Sequence, residues 1–353
     1  MKNLTLLLLT VFIIQPNLFS QTCLPEGITF HYQTEIDSFQ ISYPNCYEIE
    51  GNVDISWNNI HNLNGLNILT KIDGYLWISN CDSLINMTGL QNINSIDGGL
   101  HISGINRLKN LSGLESLVSI NDLFEIVFCD SIVNLSGLNS LSYVSGDIQI
   151  HSNPLLSDLS GIENLSTTNG SLLIGFNDNL ISLNGLQNLT SIGGNIAIHD
   201  NNILETLSGI DNVNSGSISN LEISANSSLA TCEVKSICDY LITPTGTTVI
   251  SSNDVGCNNQ LEVETACQIV STSESKLNDL FEISPNPAKN NLTIINRKDL
   301  EITQISIYNQ LGEKRYLSKT NTKCIDISML EKGIYYLELQ IENNSYRKKL
   351  IVN

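Results

Sequence analysis

Apolar positions along this chain repeat with two superposed periods, one of two residues and one of 24. Gly65, Gly89, Gly113, Gly137, Gly161, Gly185 and Gly209 stand 24 residues apart, each followed by Leu or Ile. Counted from two residues before each glycine, the unit reads L-x-G-L-x-N-L-x-S-I-x-G-x-L-x-I-x-x-N-x-x-L-x-x. Its copies begin at Leu63, Met87, Leu111, Leu135, Leu159, Leu183 and Leu207, with one residue inserted in the last. Positions fourteen and sixteen are always apolar: Leu76/Ile78, Leu100/Ile102, Phe124/Ile126, Ile148/Ile150, Leu172/Ile174, Ile196/Ile198 and, shifted by one, Leu221/Ile223. Alternation over so short a run predicts a half-buried strand. One such strand cannot bury its face alone, so stacked copies must share a core and form a parallel sheet along a solenoid. Asn153, Asn177, Asn201 and the shifted Asn226, at or near position nineteen, predict a ladder that bonds the turn backbone between coils. The expected fold is mainly β. It begins as a right-handed parallel β solenoid with an N-terminal cap at 21–62, seven repeats at 63–231 and a C-terminal cap at 232–268.

Beyond Cys267 the period disappears through "STSESKLND", read as a polar linker over 269–280. The rest of the chain alternates in short segments: "ITQISIYN", a turn at Gly312, "GIYYLELQI" with Tyr335, Leu337 and Leu339 on one face, and "YRKKLIVN". Strands at this spacing predict a small antiparallel β-sandwich over 281–353.

The start of the chain changes the picture of where the protein acts. A short basic opening at Met1-Lys2-Asn3, an apolar run from Leu4 to Ile14 and a polar exit ending at Ser20 read as a signal peptide over 1–20. The apolar run is shorter than the roughly 20 residues that a membrane span needs, so the mature chain is expected to be exported without a transmembrane segment. "LFSQTC" has Thr22 where a lipoprotein box wants a small residue, which argues against a lipid anchor on Cys23. Charge divides the chain: residues 1–270 carry 5 Lys+Arg against 26 Asp+Glu, a balance of −21, and 271–353 carry 12 against 10, or +2. An acidic body repels phosphate backbones, so nucleic acid is excluded as a partner.

Nine cysteines in an exported chain predict disulfides. Cys23 and Cys46 precede the repeats and Cys232, Cys238, Cys257 and Cys267 follow them, as in stapled solenoid caps. Four cysteines allow three pairings; Cys232 with Cys257 and Cys238 with Cys267 ties each half of the closing cap to the other. Cys81 and Cys129 lie two repeats apart, about 9 to 10 Å at the spacing of stacked strands, which a disulfide cannot bridge. They are expected as buried thiols and Cys324 as an unpaired one.

The segment L-x-I-x-x-N-x-x-L resembles the leucine-rich repeat signature. With G-L-x-N-L-x-S-I-x-G, the whole unit is similar to the LRR-like receptor L-domain repeat of bacterial surface proteins, from Cys46 to about Cys267. In the tail, "SPNP" (284–287), "IYNQLGEKR" (307–315), "LEKGIYYLEL" (330–339) and "KKLIVN" (348–353) resemble the C-terminal sorting domain of the type IX secretion system. That resemblance implies a tail that engages the secretion machinery and is removed after outer-membrane passage. The rest would then be left at the cell surface or released.

Candidate chemistry is sparse. No phosphate loop, metal-binding Cys/His spacing or nucleophile motif is present, and neither a metal nor a cofactor is expected. His151 and His199 share position seventeen two rungs apart with Gly175 between them, an arrangement that does not suggest ligation. The Asn-Leu-Ser/Thr sequons recur because the repeat contains N-L-x, so they read as architecture. A polysaccharide lyase needs a basic residue on the substrate face, and between 63 and 231 only Lys71, Arg107 and Lys109 are basic, all away from the predicted strand. A glycan hydrolase needs two carboxylates; Glu125 and Asp147, on adjacent rungs, are expected about 8 Å apart, within the inverting range. The outward strand positions give the main reading. Asp54, Trp57, Tyr75, Trp77, His101, Leu123, Glu125, Val127, Gln149, His151, Leu173 and His199 vary from rung to rung while the inward ones barely change. Exposed aromatics among polar neighbours suggest a contact surface for a protein or glycan. The candidate ligand-binding residues are Trp57, Tyr75, Trp77, His101, Glu125, Gln149, His151 and His199, in a secreted, non-catalytic binding or adhesion protein; Glu125 and Asp147 define the hydrolase alternative.

Overall fold

The computed structural model describes residues 22–267, 281–296, 302–309, 314–318, 324–341 and 344–353, in two compact units, 1–267 and 268–353. The expected signal peptide and linker lie outside the described residues.

In the first unit each coil gives positions fourteen to seventeen to a ten-stranded parallel sheet. This long sheet runs from Ile28–Phe30 through Val53–Ser56, Leu76–Ser79, Leu100–Ser103, Phe124–Val127, Ile148–His151, Leu172–Gly175, Ile196–His199 and Leu221–Ser224 to Thr248–Ser251. The strands pair in register, so equivalent residues stack in columns: Asp54, Trp77, His101, Glu125, Gln149, Leu173 and Ala197 form one such column. The structure adds a second, eight-stranded parallel sheet at positions nine and ten, made of two-residue strands such as Ser95–Ile96 and Ser119–Ile120. The sequence pattern predicts only one sheet, because two residues are too few to show an alternation. The long sheet runs past the seven repeats, with rungs added by both caps, whereas the narrow sheet gains rungs from the N-terminal cap alone and ends at Ser191–Ile192. Cys23–Cys46 closes the first end, and Cys232–Cys257 with Cys238–Cys267 closes the other, alongside helices Lys235–Ile242 and Gln260–Ala266.

Three kinds of column explain why the repeat has its composition. The apolar residues at positions one, four, seven, ten, fourteen, sixteen and twenty-two are fully buried in coil after coil, as in Leu111, Leu114, Leu117, Ile120, Phe124, Ile126 and Ile132. The repeated glycine carries the close approach of coils. At Gly137, φ is +114° and a Cβ would stand 2.1 Å from the Leu111 carbonyl oxygen of the preceding coil, so no other residue fits. At position nineteen, Asn153, Asn177, Asn201 and Asn226 are completely buried. The Asn201 Oδ1 accepts from the Asn177 backbone N–H at 3.2 Å, and its Nδ2 donates to the carbonyls of Ile174 and His199, both at 3.0 Å. The same bonds recur one coil on at Asn226, then end on Asn253. Towards the N-terminus the ladder gives way to Cys81, Ile105 and Cys129, all buried. Desolvation is the main reason that both thiols are pushed up to about 12.

The sequon asparagines Asn164 and Asn188 sit in a shallower ladder, their side-chain amides donating to the carbonyls of Asn139 and Glu163 in the preceding coil at 2.6 and 2.7 Å. These amides hold coils together, which is the architectural role read from the repeat.

The second unit holds two antiparallel sheets. Phe281–Ser284, Asn291–Asn296 and Cys324–Asp326 make one; Lys314–Ser318, Ile302–Asn309, Gly333–Ile341 and Asn344–Val352 make the other. They share a buried core that includes Phe281, Leu292, Ile305, Ile307, Tyr335, Leu337 and Leu339. Cys324 is exposed and unpaired.

Candidate functional site

Strand residues at odd repeat positions point away from the core, because side chains alternate across a strand. On the long sheet this brings together side chains 24 to 47 residues apart. The Trp77 and His101 rings, in register on adjacent strands, stack with centroids 4.8 Å apart and planes 15° apart. Tyr75 joins them, its ring 5.7 Å from that of His101. Its hydroxyl reaches two rungs along and donates to Asp122 Oδ2 at 2.6 Å. That hydrogen bond, foremost, holds the phenol above its ordinary pKa. The ring can lie there because Gly99 has no side chain: a Cβ at Gly99 would meet the Tyr75 ring at 2.9 Å. His101 Nδ1 is 3.0 Å from Glu125 Oε2, a contact that orients the imidazole under the indole.

These groups border an open concavity of about 620 Å³, lined among others by Asp54, Tyr75, Trp77, His101, Asp122, Leu123, Asp147 and Gln149. Trp77 is 46% exposed although it is stacked. Asp54 Oδ1 is buried without a hydrogen-bond partner. Asp147 Oδ1 accepts the Ser171 backbone N–H at 2.7 Å. The two carboxylates of the hydrolase alternative are therefore each engaged, one by an imidazole and one by a backbone amide.

The remaining sequence-predicted residues lie elsewhere. Trp57, 60% exposed, packs edge-on against His31 and lines a separate concavity of about 560 Å³ with Ser56, Asn58, Asn59, Ser79 and Asn80. His151 and His199 lie towards the other edge of the strands. Burial is the first cause that lowers the His151 pKa, with Glu125 opposing and His199 reinforcing. The His199 ring occupies the space above Gly175, where a Cβ would meet it at 2.7 Å, and its Nδ1 is 3.0 Å from Asp200 Oδ2. Among the described residues no group of three or more His, Cys, Asp or Glu is placed to hold a metal ion.

Val127 is a correction. Position seventeen should face outward, yet Val127 is only 4% exposed. It lies in register between Ser103 and His151, and Phe128 beside it packs edge-on against the His151 ring. Lys71 also has a definite place: it is on the narrow sheet, bound to Asp73 and Asp97 at 2.7 and 2.5 Å.

Two features escape the sequence pattern. Asp122 belongs to the cluster only because Tyr75 crosses Gly99 to reach it. Position eighteen is left-handed in coil after coil, with φ of 53° at Asn80, 55° at Phe128, 58° at Ser152, 55° at Phe176 and 54° at Asp200. Non-glycine residues rarely adopt this conformation. Here it aims the N–H of Ser152 and Phe176 at the carbonyls of Gly175 and His199 in the next coil, at 3.0 and 3.2 Å. It also turns Phe128 and Phe176 outward, 56% and 52% exposed.

Comparison with known proteins gives two assignments. Residues 45–99 match the Receptor L domain, a span that contains Asp54, Trp57, Tyr75 and Trp77. Residues 282–353 match the secretion system C-terminal sorting domain, here of the type IX kind. No curated protein matches the chain significantly. The sorting tail marks a protein secreted to the cell surface or the extracellular space and implies interaction with the secretion machinery. No helix among the described residues is long and apolar enough to cross a membrane.

Proposed function

We propose that this protein is a non-catalytic binding or adhesion protein whose long sheet recognises a protein or glycan at the Tyr75–Trp77–His101 cluster. In this reading residues 1–20 take the chain across the inner membrane, and the 281–353 tail carries it through the type IX machinery. The observation that carries the reading is Trp77: a large aromatic, 46% exposed, held in a fixed orientation by a stacked imidazole at the rim of a concavity. Pre-oriented exposed aromatics supply large contact area at little entropic cost, and such residues dominate binding energy at interfaces. Its scaffold is a sheet whose core lies on the other face, so the site is rigid and independent of core composition. Purified protein tested for cell adhesion, with and without Trp77→Ala, examines the proposal. Product formation from a polysaccharide panel, abolished by Glu125→Gln, would overturn it in favour of a glycan hydrolase.

A further inference from the structure

The binding role proposed above leaves the partner's chemistry open, and the charges around Trp77 narrow it. Asp54, Asp122, Glu125 and Asp147 surround the aromatic cluster, and among the described residues the imidazole of His101 is the one basic group hydrogen-bonded to any of them. None of the ten strands of the long sheet carries Lys or Arg. Lys71 is already bound to two aspartates on the narrow sheet. Asp54 Oδ1 has no donor although it is shielded from solvent, and a carboxylate oxygen in that state gains much from a charged donor. Trp77 lies in register between Asp54 and His101; His101 covers one side of the indole, and Asp54 is the neighbour on the other.

From this arrangement we infer that the concavity receives a lysine or arginine side chain from a basic segment of a partner protein. The alkyl stem packs over the Trp77 indole and the charged head meets Asp54; Asp122 and Asp147, three and four rungs from Asp54 along the sheet, meet further basic side chains of the same segment. A cation over an indole face is attracted by the ring quadrupole, and the stem of a long basic side chain covers apolar surface while its head stays polar. A neutral ligand would have to strip water from several carboxylates without neutralising them. The −21 balance of residues 1–270 also draws basic partners towards this unit from a distance.

The test is calorimetric titration of the full exported chain with a short oligolysine peptide, an oligoglutamine peptide of equal length, a neutral glucan oligosaccharide and a deacetylated chitin oligosaccharide. Oligolysine is expected to bind best, about tenfold or more weaker in Trp77→Ala and weaker again in Asp122→Asn and Asp147→Asn. Its affinity should fall steeply between about 0.05 and about 0.5 M salt. Melting temperatures of the same variants confirm that each is folded, and the two Asn substitutions keep side-chain shape if Trp77→Ala disturbs packing. Oligoglutamine binding as tightly, or affinity indifferent to salt, overturns the cationic assignment. Preferred binding of the chitin oligosaccharide or the glucan, still lost in Trp77→Ala, overturns the basic-protein partner and leaves the binding face standing. Binding of every probe unchanged by Trp77→Ala in folded protein sinks both this inference and the site it rests on.

Discussion

Trp77 contributes its indole to the surface and only its backbone to the sheet, so its removal separates binding from folding. The core is built from positions such as Leu76 and Ile78, both fully buried, on either side of it. Trp77→Ala is therefore expected to shift the melting temperature very little and to weaken adhesion about 30-fold, the loss of a central aromatic anchor worth roughly 2 kcal/mol. A fall of several degrees with adhesion unchanged would mean instead that the indole serves the N-terminal cap. Asn201 is the opposite kind of residue. It is wholly buried and satisfies backbone groups in its own coil and the preceding one, so Asn201→Ala leaves three of them unpaired. At about 1 to 3 kcal/mol for each orphaned group, the variant should lose at least about 3 kcal/mol in denaturant unfolding. Outward Trp77 was legible from alternation, and the Asn ladder from its 24-residue spacing. Asp122 was not, because its role depends on a ring that passes over Gly99 from two rungs away.

At the scale of the single coil, the repeat is a device for bringing backbone against backbone. Gly137→Ala puts a Cβ 2.1 Å from the Leu111 carbonyl oxygen at a φ of +114°, and neither problem can be relieved without parting two coils. Expected destabilisation exceeds about 3 kcal/mol, measurable by chemical denaturation, whereas the same substitution at Gly216, with only an Asn214 oxygen at 3.4 Å, should cost far less. The coil's other turn was hidden. Asn80, Ser152, Phe176 and Asp200 share left-handed backbone without sharing a residue type, since what imposes the conformation is the hydrogen bond from each N–H to the next coil. A pattern of side chains cannot report a constraint that acts on the main chain alone. The narrow sheet escaped for a related reason, its strands being two residues long.

For the whole molecule, the end caps and the tail decide whether a stack of coils becomes an exported protein. Cys23–Cys46 spans 23 residues, and replacing both with Ser should cost about 3 kcal/mol by freeing the unfolded chain, read as a lower denaturation midpoint. Three cysteines remain outside the disulfides. Burial keeps Cys81 and Cys129 protonated up to about 12, so a thiol reagent at pH 8 should label native protein only at Cys324; prompt labelling of all three would mean that the coil core opens. Deleting 281–353 should leave the repeat unit folded, because the two units are separately compact, and should leave it in the periplasm. Equal surface display with and without the tail, measured by protease accessibility on whole cells, would refute the sorting role.

What the sequence alone determined was everything that repeats. A 24-residue period, alternation at fourteen and sixteen, glycine at three and asparagine at nineteen specify a parallel stack, because each coil can satisfy its core and backbone only against a copy of itself. The different composition of the tail likewise separated it from the stack. What only the tertiary structure decided was the meaning of the positions that vary. Register laid Trp77 on His101, Gly99 opened a path from Tyr75 to Asp122, and Val127 was covered where its parity predicted exposure. These outcomes depend on side chains one and two rungs away, whose reach across the sheet is set by size and rotamer, and a periodic pattern carries no information about either.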